Sequence, residues 1–345
     1  MTIKDIAKLA KVSEGTIDRV IHNRSGVSQK TKERVQKILN EHNFEKNIIA
    51  STLAYKKKYT IATLIPNSKS KKKFWFEPDQ GIKKAVDEIK KFGVTTHSFY
   101  FNEFDSESFS KTFEKLLKVN PDGVLLAPVF YRLSKELIKK LDDKKIPYLF
   151  INTNIDNQKN ITFIGQNSFQ SGYLSAKIMD LTLDEGDKII IVKSQRDSDN
   201  HFAIDSRIKG FFDYYKKLNS SKKIILTTLE NFTAKKIEEY LLLEQFGKGF
   251  VNGIFVPSSH TFKIAKFLKK NELQSIFLLG YDASIENSKY LKNDTINFLI
   301  DQEPFNQGYK GVKALFDYLF FNISPNITYN SPINIITKEN LEFMM

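Results

Sequence analysis

The sequence lacks the residues and motifs on which most enzymes rely. It has no cysteine, which excludes disulfides, thiolate nucleophiles and cysteine-ligated zinc. Its five histidines are scattered, without the spacing of a metal-binding motif. A GxSxG elbow, a Walker A loop and a GxGxxG turn are also missing from the sequence. We therefore expect no catalytic residues, no metal and no cofactor.

Long hydrophobic runs are missing as well. No apolar stretch approaches the roughly 18 residues that a membrane-spanning helix needs. The N-terminus leads directly into an amphipathic pattern, without the apolar segment of a secretory signal. These features predict a cytoplasmic protein that does not bind membranes.

Positive charge, by contrast, is plentiful and unevenly distributed. The chain of 345 residues has a net charge of +13, and residues 1–60 contain 13 Lys and Arg against 6 Asp and Glu. Clustered positive charge is typical of a module that binds a polyanion such as nucleic acid. A general bias toward lysine for solubility is the alternative.

Residues 1–46 have the pattern of three short helices. Capping residues precede each helix, and apolar residues repeat at helical spacing on one side of it. Only Lys11 and Val12 separate the first helix from Ser13, which caps the second. Two helices joined by such a tight turn predict a helix-turn-helix, in which the second helix enters the major groove of DNA. A three-helix packing unit with no role in DNA binding is the alternative.

From Thr60 onward, short apolar runs alternate with amphipathic helices, one of them near residues 79–92. The predicted strands are Ile61–Ile65, Gly123–Val129, Tyr148–Ile151, Lys188–Lys193, Gly253–Val256, Ile276–Tyr281 and Ile296–Ile300. This order predicts parallel sheets covered by helices on both faces, and its length favours two lobes. Binding sites in such folds lie beyond the carboxyl ends of the strands.

Several stretches resemble the lactose-repressor (LacI/GalR) family. In residues 1–46, which we call the headpiece, they are Thr2–Ala10, Val12–Ser13, Thr16–Ile17, Arg19–Ile21 and Val27–Ser28. Asn47–Leu53 follow at the position of the family's hinge helix. In the larger part they are Arg207–Phe211, Gly280–Asp282 and Gln302. The chain is thereby identified as a member of a family of DNA-binding regulators, with an all-α headpiece and a two-lobed periplasmic-binding-protein-like α/β core.

The resemblance implies a domain organisation and a set of partners. It implies a DNA-binding domain over 1–46, a hinge and linker over 47–58 and an effector-binding and dimerisation domain over 59–345. We place lobe 1 at about 59–163 and 300–325, and lobe 2 at about 164–299 and 326–345. The expected function is that of a nucleoid-associated repressor, a homodimer on a pseudo-palindromic operator, controlled by a small molecule such as a sugar. An enzyme with an appended DNA-binding domain is the alternative.

The resemblance also gives roles to residues of the second helix. Arg19 stands where the family reads a base, and its guanidinium could contact guanine O6 and N7 together. Glu14 and Gly15 occupy variable reading positions, so we expect them to set operator preference. Asp18 replaces the family's usual serine, and it could pair with a neighbouring cation or with cytosine. The alternative for Arg19 is an ordinary exposed side chain.

Other polar residues of the headpiece suit contacts with phosphates, which position a protein without reading sequence. They are Ser13, Thr16, Asn23, Ser28 and Thr31. In the hinge, Asn47, Ala50 and Leu53 match family positions, and Leu53 matches the leucine that wedges into the minor groove. Lys46 stands where the family usually has proline, and Leu53 could instead pack against its own helix.

Six residues of the larger domain are candidates for binding the effector. They are Trp75, Asn152, Arg207, Ser258, Asp282 and Gln302. Arg207 is expected near the start of a helix, where its planar group could bind vicinal hydroxyls or an anion. Trp75 is expected in a loop, where its ring could stack on a sugar. Structural ion pairs for Arg207 and Asp282, and a hydrophobic cluster around Trp75, are the alternatives; Ser258 departs from the family's frequent asparagine.

Replacement of Arg19 by alanine tests the expected base contact. We expect Arg19→Ala to abolish operator preference while much of the salt-sensitive background binding persists, because that background comes from phosphate contacts. A footprint of wild type and variant at matched salt measures both effects. Unchanged sequence preference in the variant would refute the role of Arg19.

Overall fold

A computed structural model describes residues 3–21, 25–42, 58–67, 74–194, 202–229, 232–242 and 250–343. The chain divides into two compact units, Met1–Lys58 and Tyr59–Met345. Each unit has its own hydrophobic core.

The first unit contains three short helices. They are α1 (Ile3–Ala10), α2 (Glu14–Ile21) and α3 (Gln29–Glu41). Lys11 has a positive φ of 52° in the turn between α1 and α2, and the backbone N–H of Val12 donates to the carbonyl of Ala7. The core of the unit is formed by Ile6, Ala7, Ala10, Ile17, Val20, Val35 and Leu39. The helical spacing of these apolar residues therefore predicted the packing of the headpiece.

The second unit is an α/β structure of two lobes. Its helices are α4 (Phe76–Ile89), α5 (Ser106–Lys118), α6 (Tyr131–Asp143), α7 (Ser168–Asp180), α8 (Phe202–Leu218), α9 (Ala234–Leu242), α10 (Thr261–Lys270), α11 (Ile285–Leu291) and α12 (Pro304–Phe321). Its strands are β1 (Thr60–Pro66), β2 (Thr95–Phe101), β3 (Gly123–Leu126), β4 (Tyr148–Ile151), β5 (Phe163–Gly165), β6 (Lys188–Ser194), β7 (Lys223–Leu229), β8 (Gly253–Phe255), β9 (Phe277–Tyr281), β10 (Phe298–Asp301), β11 (Thr328–Asn330) and β12 (Asn334–Ile336). Short 3-10 turns occupy Lys90–Phe92 and Leu341–Phe343. Within the described ranges, no helix is long and apolar enough to cross a membrane.

Each lobe is built on a six-stranded sheet. The order is β11-β5-β4-β3-β1-β2 in the first lobe and β12-β10-β9-β8-β6-β7 in the second. All pairings are parallel except the antiparallel pairing of β10 with β12. The central strands of both sheets are buried, as expected for parallel strands with helices on both faces. The predicted fold class is confirmed.

The chain passes between the lobes three times, after β5, after β10 and after β11. One buried side chain ties these passages together: Nε2 of Gln166, in the first passage, donates to the carbonyls of Asp301 at 3.1 Å and Pro332 at 2.9 Å. The third passage comes later than we placed it, because Thr328–Asn330 still pairs with the first sheet. The first lobe therefore extends to about residue 330 rather than 325, and Phe298–Asp301 belongs wholly to the second lobe.

Several strands differ from those that the sequence predicted. β3 ends at Leu126 rather than Val129, since Pro128 has no N–H to continue the ladder. β2 and β7 were not predicted; each is an edge strand in which most residues are exposed or half-buried, so neither has the continuous buried run of a central strand. β5, β11 and β12 are only three residues long, too short to give a pattern.

Helices α4 and α12 approach closely at glycines. A Cβ added to Gly308 would lie 2.1 Å from the carbonyl oxygen of Pro78, a backbone atom that cannot rotate away. A Cβ added to Gly311, on the same helix, would instead meet Cδ1 of Leu125 at 2.6 Å, the end of a flexible side chain. Gly308 is therefore the tighter of the two positions.

We expect Gly308→Ala to destabilise the protein by about 2–3 kcal/mol, because overpacking against backbone forces the helices apart. Gly311→Ala is the matched control and should cost clearly less, since Leu125 can change rotamer. Urea unfolding of the two variants and wild type measures the difference. Equal losses for both would contradict the close backbone contact.

Candidate functional site

The exposed face of α2 carries the residues expected to read DNA. Glu14, Gly15 and Arg19 are exposed, whereas Ile17 and Val20 are buried in the headpiece core. Among the described residues, the only atom within 4 Å of a Cβ added to Gly15 would be Oγ of Ser13, at 3.8 Å, so there is room beside Gly15 on this surface. The helix thus presents a guanidinium and a carboxylate on the side away from its core.

The serines and threonines expected at phosphates form two similar caps. The Oγ atom of Ser13 accepts from the backbone N–H of Thr16 at 3.1 Å, and the two hydroxyls lie 2.9 Å apart. Ser28 and Thr31 repeat the arrangement at the start of α3, with distances of 3.3 and 2.9 Å. Each pair stabilises a helix N-terminus, where backbone N–H groups favour anions. Their contacts with phosphates stay a prediction.

Part of the predicted DNA-binding surface lies outside the described residues. This applies to Asn23 in the headpiece and to Lys46, Asn47, Ala50 and Leu53 in the hinge segment. Their roles stay predictions.

In the second unit, the structure brings all six candidate effector residues to one cleft between the lobes. Trp75, Asn152, Arg207, Ser258, Asp282 and Gln302 line a cavity with about 550 Å³ of space, part of which is open to solvent. Asn152, Asp282 and Gln302 directly follow the carboxyl end of a strand and Ser258 lies three residues beyond β8, as parallel α/β folds favour for binding sites.

Arg207 extends into the cleft from α8. We expected it near the start of a helix, but α8 begins at Phe202, so Arg207 lies in its second turn. Nη1 donates to the carbonyl of Pro257 and Nη2 to Oε1 of Gln302, both at 3.0 Å. Nε is buried and has no hydrogen-bond partner among the described residues. The guanidinium is thus held by hydrogen bonds from two of its three nitrogens.

Gln302 connects the polar groups of the cleft. Its Oε1 accepts from Arg207 and, at 3.4 Å, from Nδ2 of Asn152, and its Nε2 donates to Oδ1 of Asp282 at 2.8 Å. It follows β10 in the second passage between the lobes, whereas Asn152 follows β4 in the first lobe. One amide therefore links side chains from both lobes.

Asp282 and Asn152 have unusual backbone conformations. Their φ angles are 65° and 67°, in the left-handed region that Asn and Asp adopt more readily than most residues. Each comes directly after its strand, and its backbone N–H still donates to the neighbouring strand, to Ile300 from Asp282 and to Ile164 from Asn152. The left-handed conformation of each residue turns the chain away from its sheet at the cleft. Strained backbone of this kind is concentrated at functional sites.

The environment of Asp282 alters its acidity. Burial raises the pKa of its carboxyl to about 7, opposed by the nearby Arg207 cation and reinforced by the negative charge of Asp301. Burial likewise raises the pKa of Asp301. Asp282 therefore keeps its proton to a higher pH than an ordinary carboxyl, and its protonated form can donate as well as accept a hydrogen bond.

Trp75 belongs to an aromatic wall of the cleft. It stands immediately before α4 rather than in an open loop, is 5% exposed, and meets Phe74 edge-on with ring centroids 5.0 Å apart. Phe104 lines the same cavity. The structure thus combines the two alternatives for Trp75, because the ring packs in a cluster and also borders the cavity.

The sequence did not indicate several other residues of the cleft. Phe104 follows β2, an edge strand that was not predicted, while Ser259 and His260 follow β8 beside Ser258 and could have been found from that position. The fully buried Asn287 donates to the carbonyls of Ser259, Tyr281 and Asp282. It thereby fixes two cleft loops from a helix that does not line the cavity.

A further contact joins the lobes beside the cleft. The ring of Tyr131, on α6 of the first lobe, stacks on Phe202 of α8 with centroids 4.9 Å apart and planes 18° apart. With the Asn152–Gln302 bond, it holds the two lobes together.

Comparisons with known proteins agree with this architecture. Residues 61–322 match the family model of the periplasmic binding protein domain, and residues 2–47 match that of the bacterial regulatory proteins of the lacI family. The chain belongs to the periplasmic binding protein domain family over residues 61–322, and this domain follows a domain of the lacI family over residues 2–47.

Curated relatives of this lacI-family chain are transcriptional regulators. A Bacillus subtilis protein named "Probable HTH-type transcriptional repressor ExuR" is 28% identical over 161 residues, 46% of this chain and 45% of the relative. Catabolite control protein A of Staphylococcus aureus is 25% identical over 154 residues, 45% of this chain and 44% of the relative. The chain thus matches somewhat less than half the length of these relatives.

Solved structures resemble the lacI-family chain over most of its length. A Bacteroides fragilis structure named for a LacI transcriptional regulator is 28% identical, with a TM-score of 0.76, over 83% of this chain and 99% of that one. A Burkholderia graminis solute binding protein in complex with D-arabinose has a TM-score of 0.72 at 19% identity, over 83% and 98% of the two chains. The latter likeness establishes the shared fold.

The raised pKa of Asp282 predicts a pH-dependent stability. The folded protein keeps a proton on Asp282 that the unfolded chain loses, so this group lowers stability as pH rises from its ordinary pKa of 3.8 to about 7, and no further above that. We expect the free energy of unfolding of wild type to fall by roughly 2–4 kcal/mol across this pH window, relative to that of Asp282→Asn.

Urea unfolding without ligand, from pH 4.5 to 8.5, measures this difference. Asp156→Asn, at an exposed position, serves as the control and should follow wild type. Parallel curves for wild type and Asp282→Asn would contradict the assignment.

Proposed function

We propose that this protein is a sequence-specific DNA-binding repressor whose operator affinity is controlled by a polyhydroxylated small molecule, of the sugar class, bound between its lobes. The headpiece contacts DNA, and the cleft of the second unit is the sensor. The protein acts by binding alone, in the cytoplasm, without turnover of its ligand.

One observation carries the proposal. A chain with a lacI-family helix-turn-helix also has a cleft in which six polar and aromatic residues converge. The cleft lies at the carboxyl ends of the strands, where ligands bind in this kind of fold. A regulator controlled by a ligand needs these two parts and no catalytic group.

The chemistry of the cleft supports a sugar-like ligand. Sugars present hydroxyl groups that donate and accept, with apolar C–H faces on their rings. Asp282, Asn152 and Gln302 supply acceptors and donors, Arg207 supplies a planar donor, and Trp75 supplies an apolar face. Solute binding proteins that share the fold include one solved with D-arabinose. This combination favours a monosaccharide or its derivative over an apolar ligand.

The headpiece supports binding to duplex DNA as a dimer. A single helix-turn-helix reads only a few base pairs, so regulators of this type pair two copies on half-sites about one helical turn apart. Arg19 reads a guanine and the serine–threonine caps contact phosphates on each half-site. Sedimentation of the full chain tests for the homodimer.

Ligand and operator are coupled through the positions of the lobes. A ligand that binds differently to two lobe arrangements shifts the equilibrium between them, and the coupling is reciprocal. Gln302, placed in a passage between lobes, and the Tyr131–Phe202 stack are contacts that such a shift would alter.

DNA binding by the full chain, with and without ligand, tests the function. A duplex selected from random sequence would be titrated in the presence of D-arabinose, D-ribose, D-glucose, D-galactose, D-glucuronate or glucose 6-phosphate. We expect one class of compound to change the Kd for DNA about tenfold or more, within the usual range of allosteric coupling.

Two variants separate the functions of the units. Arg207→Ala should bind the selected duplex but lose the response to the sugar, whereas Arg19→Ala should bind the sugar but lose sequence preference. DNA affinity that no compound in the panel changes would overturn the sensor role, and loss of sugar binding in both variants would overturn the division of roles.

A further inference from the structure

The guanidinium of Arg207 rests on an aromatic ring that does not line the cavity. Its Cζ lies 3.9 Å from the ring centroid of Tyr281, at the end of β9, and the ring is fully buried. Cation–π contacts of this kind are strongest when both groups are shielded from water. Arg207 is itself 4% exposed, which places this contact in that class.

The Tyr281 ring is anchored from α7. Its hydroxyl lies 2.5 Å from Oγ of Ser171 and 3.4 Å from Oγ of Ser175, two buried serines one helical turn apart. Burial raises the pKa of the Tyr281 hydroxyl, so it stays protonated in these hydrogen bonds. These hydrogen bonds fix the position and orientation of the Tyr281 ring against the guanidinium of Arg207.

The backbone of Arg207 is held by the same helix. A Cβ added to Gly172 would lie 1.9 Å from the carbonyl oxygen of Arg207 and 2.6 Å from its Cα. On the other side of this helix crossing, a Cβ on Gly210 would lie 2.0 Å from the carbonyl oxygen of Phe169. Helices α7 and α8 thus touch backbone to backbone at the turn that carries Arg207.

We propose that Tyr281 and Gly172 are positioning residues for Arg207, which together set the location of its guanidinium in the cleft. Gly172 sets the distance of the α8 backbone from α7, and Tyr281 supports the guanidinium from below. Nη1 and Nη2 are bonded to Pro257 and Gln302, so these two hydrogen bonds and the Tyr281 ring together hold the guanidinium in place. This inference rests on the proposed role of Arg207 in ligand binding.

The placement of Arg207 can be measured without a ligand. The chain has six arginines, so arginine labelled with ¹⁵N gives few Nε–Hε signals, and Arg207→Lys identifies the one from Arg207. The Tyr281 ring current should displace this signal from the others. Tyr281→Phe keeps the ring and should keep the displacement, whereas Tyr281→Met, an apolar side chain without a π face, should lose it.

Gly172→Ala should also move the Arg207 signal, because α8 must shift away from α7. Tyr215→Met is the matched control: Tyr215 is buried in the same lobe, its hydroxyl donates to the carbonyl of Ala176, and it should leave the Arg207 signal in place. An Arg207 signal unchanged in both Tyr281→Met and Gly172→Ala would overturn the proposal. If Gly172→Ala folds poorly, the Arg207 signal of Tyr281→Met tests the proposal by itself.

Sugar binding by calorimetry then connects position to function. For whichever sugar of the panel wild type binds, we expect Tyr281→Met to weaken binding about tenfold and Tyr281→Phe less than threefold. In an Arg207→Lys background the loss caused by Tyr281→Met should disappear, since the residue acts through the guanidinium. An undiminished loss in that background would mean that Tyr281 has a merely structural role.

The two proposals fail in different ways. If wild type binds no sugar of the panel, the proposed sensor function fails, while the Nε–Hε signal still tests the positioning of Arg207. If wild type binds a sugar and Tyr281→Met binds it equally well, the function stands and the positioning role is overturned.

Discussion

The buried charge of Arg207 is the constraint on which the sensor lobe depends. A guanidinium taken out of water is costly unless hydrogen bonds and nearby negative charge compensate for it. Here the carbonyl of Pro257, the amide of Gln302, the ring of Tyr281 and the carboxyl of Asp282 surround it. These four groups come from three separate segments of the chain, since Tyr281 and Asp282 are neighbours. The charge can be accommodated only when all of those segments are in place, so the cleft and the fold of its lobe form together.

Two parallel sheets explain why such distant segments meet. In each sheet the carboxyl ends of neighbouring strands lie at one edge, and the three passages between lobes bring the two edges face to face. Gln302 lies in one of these passages, so the residue that bonds Arg207 and Asp282 also bonds Asn152 of the other lobe. The ligand site and the connection between lobes are thus the same piece of structure. A ligand that competes for these hydrogen bonds would act on both.

Prediction from the sequence succeeded where a feature depends on local pattern. The buried strands β1, β4 and β6 were predicted within one residue at each end from their apolar runs, and the starts of the headpiece helices were predicted from their capping residues. The edge strands β2 and β7 were not predicted, since each has a neighbouring strand on one side only and exposes much of its surface. Phe104 was not identified as a cleft residue, because it follows β2 and that strand was not predicted. Asn287 and Tyr281 gave no local signal of their support for the cleft, because that support consists of contacts with distant segments.

The sequence by itself determined the class of fold, the helix-turn-helix with Arg19 on its outer face, and the six polar and aromatic positions of the cleft. Spacing of residue types along the chain predicted the fold and the helix-turn-helix, and resemblance to the lactose-repressor family pointed to Arg19, Arg207, Asp282 and Gln302. Only the tertiary structure decided that Gln302 joins the six into one network, that burial raises the pKa of Asp282 to about 7, and that Arg207 rests on Tyr281. Those depend on distances between residues far apart in the chain and on the exclusion of water, which exist only after packing.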